Sequence, residues 1–198
     1  MAKAKYVPCL LGLFRQHGYD GATMAKISEA TGLGKASLYH HFPKGKDEMV
    51  TTVLDVLQES MQTEILPALK GNEDLLTRFK NMCDRLSEVY QNGEKPCLFA
   101  ILLMGSARNV FHEQIKIIFQ TWIDAMTGAL LEAGLEQNLA KERAVDAAIA
   151  IQGALILAHG LEDTSIFERI VTELPQKLCF GLFGLQQKNL PSRSAPHS

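Results

Sequence analysis

The stretch TMAKISEATGLGKASLYHHFPKGKDEM, residues 23–49, reads as two short helices joined by a glycine turn, with a third helix opening after a tight loop. Thr23 is an N-cap residue by type, and Ile27 with Ala30 would supply one turn of buried face. Thr31-Gly32-Leu33-Gly34 breaks that helix, since glycine readily takes the left-handed conformation that stops one. Lys35 to His41 then makes about two turns. Leu38 and Phe42 lie four apart and can both point inward. Lys35, Ser37, Tyr39 and His40 are left on the outer side. The pattern is that of a helix-turn-helix whose second helix exposes a cation, a hydroxyl, a phenol and an imidazole. Those groups suit phosphate oxygens and base edges.

T-x-x-x-I at 23–27, T-G-L-G-K-A-S-L-Y-H-H-F at 31–42 and K-D-E-M at 46–49 together resemble the DNA-binding domain of the TetR family of transcriptional regulators. Gly34 stands where that family usually carries a capping Ser or Thr, and Ala36 where Gly is common. Gly45 is an extra residue between Phe42 and Lys46, as in one branch of the family. The resemblance implies a repressor that binds palindromic double-stranded operator DNA as a homodimer and is released by a small-molecule effector. It implies DNA contacts from Thr23, Lys35, Ala36, Ser37, Tyr39, His40, His41 and Lys46.

The charge distribution agrees with a nucleic-acid-binding head. Residues 1–46 hold seven Lys/Arg against two Asp/Glu, a balance of +5; residues 47–198 hold thirteen against twenty, a balance of −7. Chance clustering gives the same asymmetry. Cys9, Cys83, Cys97 and Cys179 form no C-x-x-C pair and sit in apolar stretches, the pattern of free buried thiols in a reducing compartment. The run from Val7 to Phe14 is short and meets Arg15 with no small-residue cleavage site, so a signal peptide is not expected. The apolar run from Cys97 to Ala107 falls short of the roughly 20 residues that span a bilayer. These features predict a soluble protein of the cytoplasm with no membrane partner.

The rest of the chain reads as helix throughout, so the predicted class is all-α, with about nine helices. Residues 1–45 form a three-helix DNA-binding domain, 46–184 a larger helical effector-binding and dimerisation domain, and 185–198 a polar, disordered tail. Val7, Leu10, Leu11 and Phe14 place one apolar face on the first helix, which Gly18 ends. A linking helix runs from Lys46 to Ile65, before Pro67. Others follow at 73–91, 97–107 (apolar all round, hence buried), 110–133, 139–161 and 165–183, with Pro175 bending the last. The small residues Ala147, Ala154 and Ala158 with Ile151, and the stripe from Ile166 through Leu178 to Leu182, are the predicted dimer faces.

Catalytic signatures are missing: there is no G-x-S-x-G, no glycine-rich phosphate loop and no H-E-x-x-H. Neither enzyme activity nor a cofactor is expected. A metal site has little support, because His40 and His41 are adjacent and diverge by about 100° on a helix. Met82, Leu86, Tyr90, Phe99, Leu103, Phe119, Trp122 and Met126 could line the effector pocket that the resemblance implies, or could simply fill the core. Cys97, after Lys95-Pro96 at a helix start, is a candidate electrophile sensor or an inert buried thiol. A helical interaction protein whose head does not bind DNA remains the alternative class.

Overall fold

The computed structural model describes residues 3–182. Among these residues the chain forms nine α-helices and no strand. They are α1 Val7–Gly21, α2 Met24–Thr31, α3 Lys35–His41, α4 Lys46–Ser60 and α5 Leu75–Val89, then α6 Leu98–Met104, α7 Arg108–Glu132, α8 Gln137–Gly160 and α9 Ser165–Cys179. The predicted tail, with Phe183 and Gly184, lies outside the described residues.

The head is α1, α2 and α3, packed around Leu10, Phe14, Ile27, Leu38 and Phe42, all buried. Ile27 fills the role predicted for it, but Ala30 points to solvent. Helical geometry in α1 is interrupted at Gly18, as predicted, and the chain then coils on to Gly21. The turn between α2 and α3 is tied by side chains. Ser28 Oγ donates to the Leu33 carbonyl at 2.6 Å, and Thr31 Oγ1 to that of Ile27 at 2.7 Å. Gly32 takes φ +68°, the left-handed region that a β-carbon disfavours.

The linking helix α4 carries Met49, Val50, Val53 and Leu54 into the interface with the head and body. It does not run unbroken to Ile65. From Met61 to Ile65 the hydrogen-bond pattern widens to a π-helical turn, followed by a 3-10 turn over Leu66–Leu69. Pro67 has no N–H to give to the carbonyl four residues earlier, so the pattern must change ahead of it. The wider turn brings Met61 and Ile65 inward, where both are buried.

Asp74 caps α5, accepting from the Thr77 amide at 3.1 Å and its hydroxyl at 2.7 Å. Arg78, buried, holds the end of the α4–α5 connection to α7: its Nε donates to the Leu69 carbonyl at 2.6 Å and a terminal nitrogen to Glu132 at 2.8 Å. Helix α6 is shorter than the predicted apolar segment. It ends at Gly105, and Met104 projects into solvent, 86% exposed, so the segment is not buried on every side.

The body is closed by α8 packed between α7 and α9. Here the predicted dimer face of α8 and the C-terminal part of the α9 stripe turn out to be internal, while Ile166 and Ile170 stay half-buried. Ala147, Ile151, Ala154 and Ala158 are buried within the chain, as are Val171, Leu174 and Leu178 of α9. Small side chains let α8 approach its own neighbours closely, so this face is used up inside one chain. Helix α9 continues through Pro175, which is itself buried.

Candidate functional site

Helix α3 is the most exposed helix of the head. Lys35, Ala36, Ser37, Tyr39 and His40 all face solvent, while Leu38 between them is buried. No Asp or Glu occurs between Ala30 and Lys46, so no carboxylate within that segment competes for an incoming phosphate. Thr23 caps α2, its hydroxyl accepting from the Lys26 amide at 3.3 Å. Gly34 opens α3 in extended conformation and offers no side-chain cap. The free amides of that first turn therefore remain directed outward.

Two of the predicted DNA-contacting residues do structural work. His41 is half-buried, with its ring 5.3 Å from that of Tyr6 and its Nε2 3.5 Å from the Tyr6 hydroxyl. Lys46 donates from Nζ to the Tyr19 carbonyl at 2.7 Å and lies 4.1 Å from the centre of the Tyr19 ring. Its charge is thus anchored to α1. Lys3, just ahead of α1, pairs with Glu48 at 2.5 Å. That hydrogen bond, with another from the Lys44 amide, holds the Glu48 carboxyl below its ordinary range. Tyr19 donates to Asp47; partial burial and that bond push its phenol up to about 12. Tyr6 and Tyr19, which seat both ends of the recognition segment, were not legible as functional. Their partners are 35 and 28 residues distant in sequence.

The body holds a small cavity of about 30 Å³ where α1, the end of α4, α5 and the start of α6 meet. Of the eight residues predicted to line an effector pocket, Leu86, Tyr90 and Phe99 line this cavity. Met82, Trp122 and Met126 are buried core, and Phe119 packs edge-on against Phe99 at 5.7 Å. Leu103 is half-buried and packs against the core. The cavity wall is completed by residues not predicted, among them Leu57, Met61, Cys97 and Arg15. Arg15 could have been suspected: it stands four residues after Leu11, on the flank of the apolar face of α1. Cys97 is 4% exposed and its sulfur accepts from the Tyr90 hydroxyl at 3.6 Å. A buried thiol is closed to electrophiles, so nothing here favours the sensor reading. Among the described residues no group of three or more His, Cys, Asp or Glu side chains could hold a metal ion, and no helix is long and apolar enough to cross a membrane.

Residues 11–53 match the family model described as bacterial regulatory proteins, tetR family, and residues 76–173 match the C-terminal domain of LmrA/YxaF-like transcriptional regulators. The HTH-type transcriptional regulator LmrA of Bacillus subtilis is 20% identical over 181 residues, covering 89% of this chain and 96% of its own. A TetR transcriptional regulator from Legionella pneumophila has the same fold, with a TM-score of 0.76 at 20% identity over 89% of this chain and 97% of that one. A TetR variant from Acinetobacter baumannii, solved in complex with minocycline, superposes less closely, with a TM-score of 0.53 at 19% identity over 96% and 99% of the two chains. A helix-turn-helix head with an exposed, carboxylate-free recognition segment is thus joined to a helical body of matching type, and the chain is a transcriptional regulator of the TetR family.

Proposed function

We propose that this regulator is a repressor that binds palindromic operator DNA as a homodimer in the cytoplasm, and that a small molecule entering the body releases it. The observation that carries the reading is α3 itself, with Lys35, Ala36, Ser37, Tyr39 and His40 exposed together on a segment without carboxylates. A single head of this size reads one half-site, and a two-fold pair reads a palindrome.

The outer face of α8 is the surface we assign to the second copy. Ile149, Ile156, Leu157 and Leu161 are 52–64% exposed there, at spacings that keep them on one side of the helix. Half-buried Ile166 and Ile170 of α9 border it. Burying one such side chain is worth about 1.5–3 kcal/mol. The small cavity supports an apolar or aromatic effector, since apart from Arg15 its wall is uncharged.

The test is fluorescence anisotropy with DNA flanking the protein's own gene. Wild type should bind a palindromic site with a steep salt dependence. A Lys35→Ala/Tyr39→Ala double variant that binds as wild type does would refute the assignment of α3.

A further inference from the structure

Arg15 is the only charged residue on the wall of the body cavity. Its Nε is buried and has no hydrogen-bond partner. Its guanidinium carbon lies 6.0 Å from the centre of the Tyr90 ring, and it forms no ion pair with a carboxylate among the described residues. Burial lowers the Arg15 pKa, and the groups that act on it most are Tyr90 and Cys97. Tyr90 is neutral, because its own burial drives its pKa well up. Arginine nevertheless stays protonated in proteins. A half-buried cation whose buried Nε has neither an acceptor nor a counter-charge is costly, and an anion supplied from outside would remove that cost.

We infer that the effector is an amphipathic monocarboxylate whose carboxylate pairs with Arg15 and whose apolar body enters between α4, α5 and α6. The inference rests on the effector reading above and specifies its chemistry. One planar guanidinium fork matches one carboxylate. The Ser60 hydroxyl on the same wall is the other donor available to it, since that of Tyr90 already donates to Cys97. A doubly charged phosphate would leave its second charge against Leu57, Met61, Leu86 and Phe99. The space of about 30 Å³ holds a water or two, not a ligand, so the apolar body must part the helices. The π-helical turn at Met61–Ile65 forms part of that wall and is the segment whose hydrogen-bond pattern is least regular. Arg15 stands on α1, one residue after the head's core residue Phe14. A carboxylate held there ties the ligand directly to the DNA-binding head.

The experiment titrates the full chain with octanoate, octanamide and octyl phosphate by calorimetry. It is repeated by NMR on the Arg15 Nε–H resonance and by anisotropy on the flanking DNA. Octanoate should bind about ten- to hundredfold more tightly than octanamide, and more tightly than octyl phosphate. Affinity should rise about fourfold per methylene from hexanoate to decanoate. The Arg15 Nε–H resonance should shift with octanoate and not with octanamide. In Arg15→Gln the acid should lose its advantage; should that variant fail to fold, the resonance of the wild-type protein decides. Equal affinity for acid and amide, no resonance shift, or no binding by any acid of the series would overturn the inference. If octanamide binds and releases DNA as well as octanoate does, the inference falls and the effector reading survives without the charge. If octanoate binds at Arg15 and DNA binding is unmoved, the site stands and the effector reading falls.

Discussion

Lys35 and Lys46 carry the same charge and are held differently. Lys35 is exposed on α3, whereas the Lys46 ammonium is fixed by the Tyr19 carbonyl and ring. Lys35→Ala should therefore lower the slope of log affinity against log salt by about one per half-site contact, weakening all sequences alike. Lys46→Ala should also lower stability, by about 0.5–1.5 kcal/mol for the lost hydrogen bond, read as a drop in urea midpoint. Substitutions at Ser37 or His40 should instead change sequence preference, by about 1–3 kcal/mol where a base contact is lost; competition against a randomised half-site measures it. Tyr19 makes a pH prediction. Its phenol is raised from 10.0 to about 12, so the folded state holds the proton more tightly. The associated stability is complete below the unfolded value and is lost as pH rises from about 10 through about 12. Urea melts of wild type and Tyr19→Phe should converge over that window, with tyrosinate absorbance tracking the change. Parallel curves would show that the Tyr19–Asp47 bond contributes nothing.

Helix α8 shows at the scale of an element what one sequence can and cannot say. Its inner face, Ala147, Ile151, Ala154 and Ala158, and its outer face, Ile149, Ile156, Leu157 and Leu161, are both apolar. With apolar residues on two sides, periodicity alone does not choose which side the chain itself covers. Small residues mark the first face as a surface for close helix approach, and the fold spends that approach inside one chain rather than on a dimer. Leu178→Glu, on the buried side of α9, should unfold the protein by putting an unpaired charge in the core. Ile156→Glu/Leu157→Glu should leave a folded chain that runs as a monomer in light scattering and loses affinity for palindromic DNA. A dimer that persists in the double variant would place the interface elsewhere. The head was legible for the opposite reason. Its turn is local: Ser28 reaches Leu33, Thr31 reaches Ile27, and Gly32 stops the helix, all within a few residues. The cavity was legible only in part. Leu86, Tyr90 and Phe99 belong to runs that any apolar reading marks, but Arg15 meets Tyr90 across 75 residues, which no local pattern encodes.

Across the whole molecule two of the links between head and body bear on coupling. The first link is α4, which starts beside α3 and ends as the cavity wall. The second lies where α1 meets the α6–α7 turn: the Ser106 hydroxyl donates to Asp20 at 2.6–2.7 Å, and the Tyr19 and Phe111 rings stand 6.0 Å apart. Packed helices move as units rather than stretching, so a change at either link must be felt at the other end. Coupling is reciprocal: if a ligand weakens DNA binding by about 5- to 150-fold, DNA weakens the ligand by the same factor. DNA alone should therefore alter the body. The single tryptophan offers a reporter, since Trp122 is 2% exposed in α7 and its Nε1 is buried without a partner. Saturation with operator DNA should change its emission or its quenching by acrylamide. Ser106→Ala removes one strap with little effect expected on folding, because the serine is exposed. It should reduce the DNA-induced change at Trp122 while leaving the salt slope of DNA binding intact, as no phosphate contact is lost. A Trp122 response that survives both Ser106→Ala and Asp20→Ala would show that the coupling does not need this hydrogen bond. A Trp122 signal that ignores DNA altogether would separate the two halves energetically, and a ligand in the body could then act only by some route other than moving the heads.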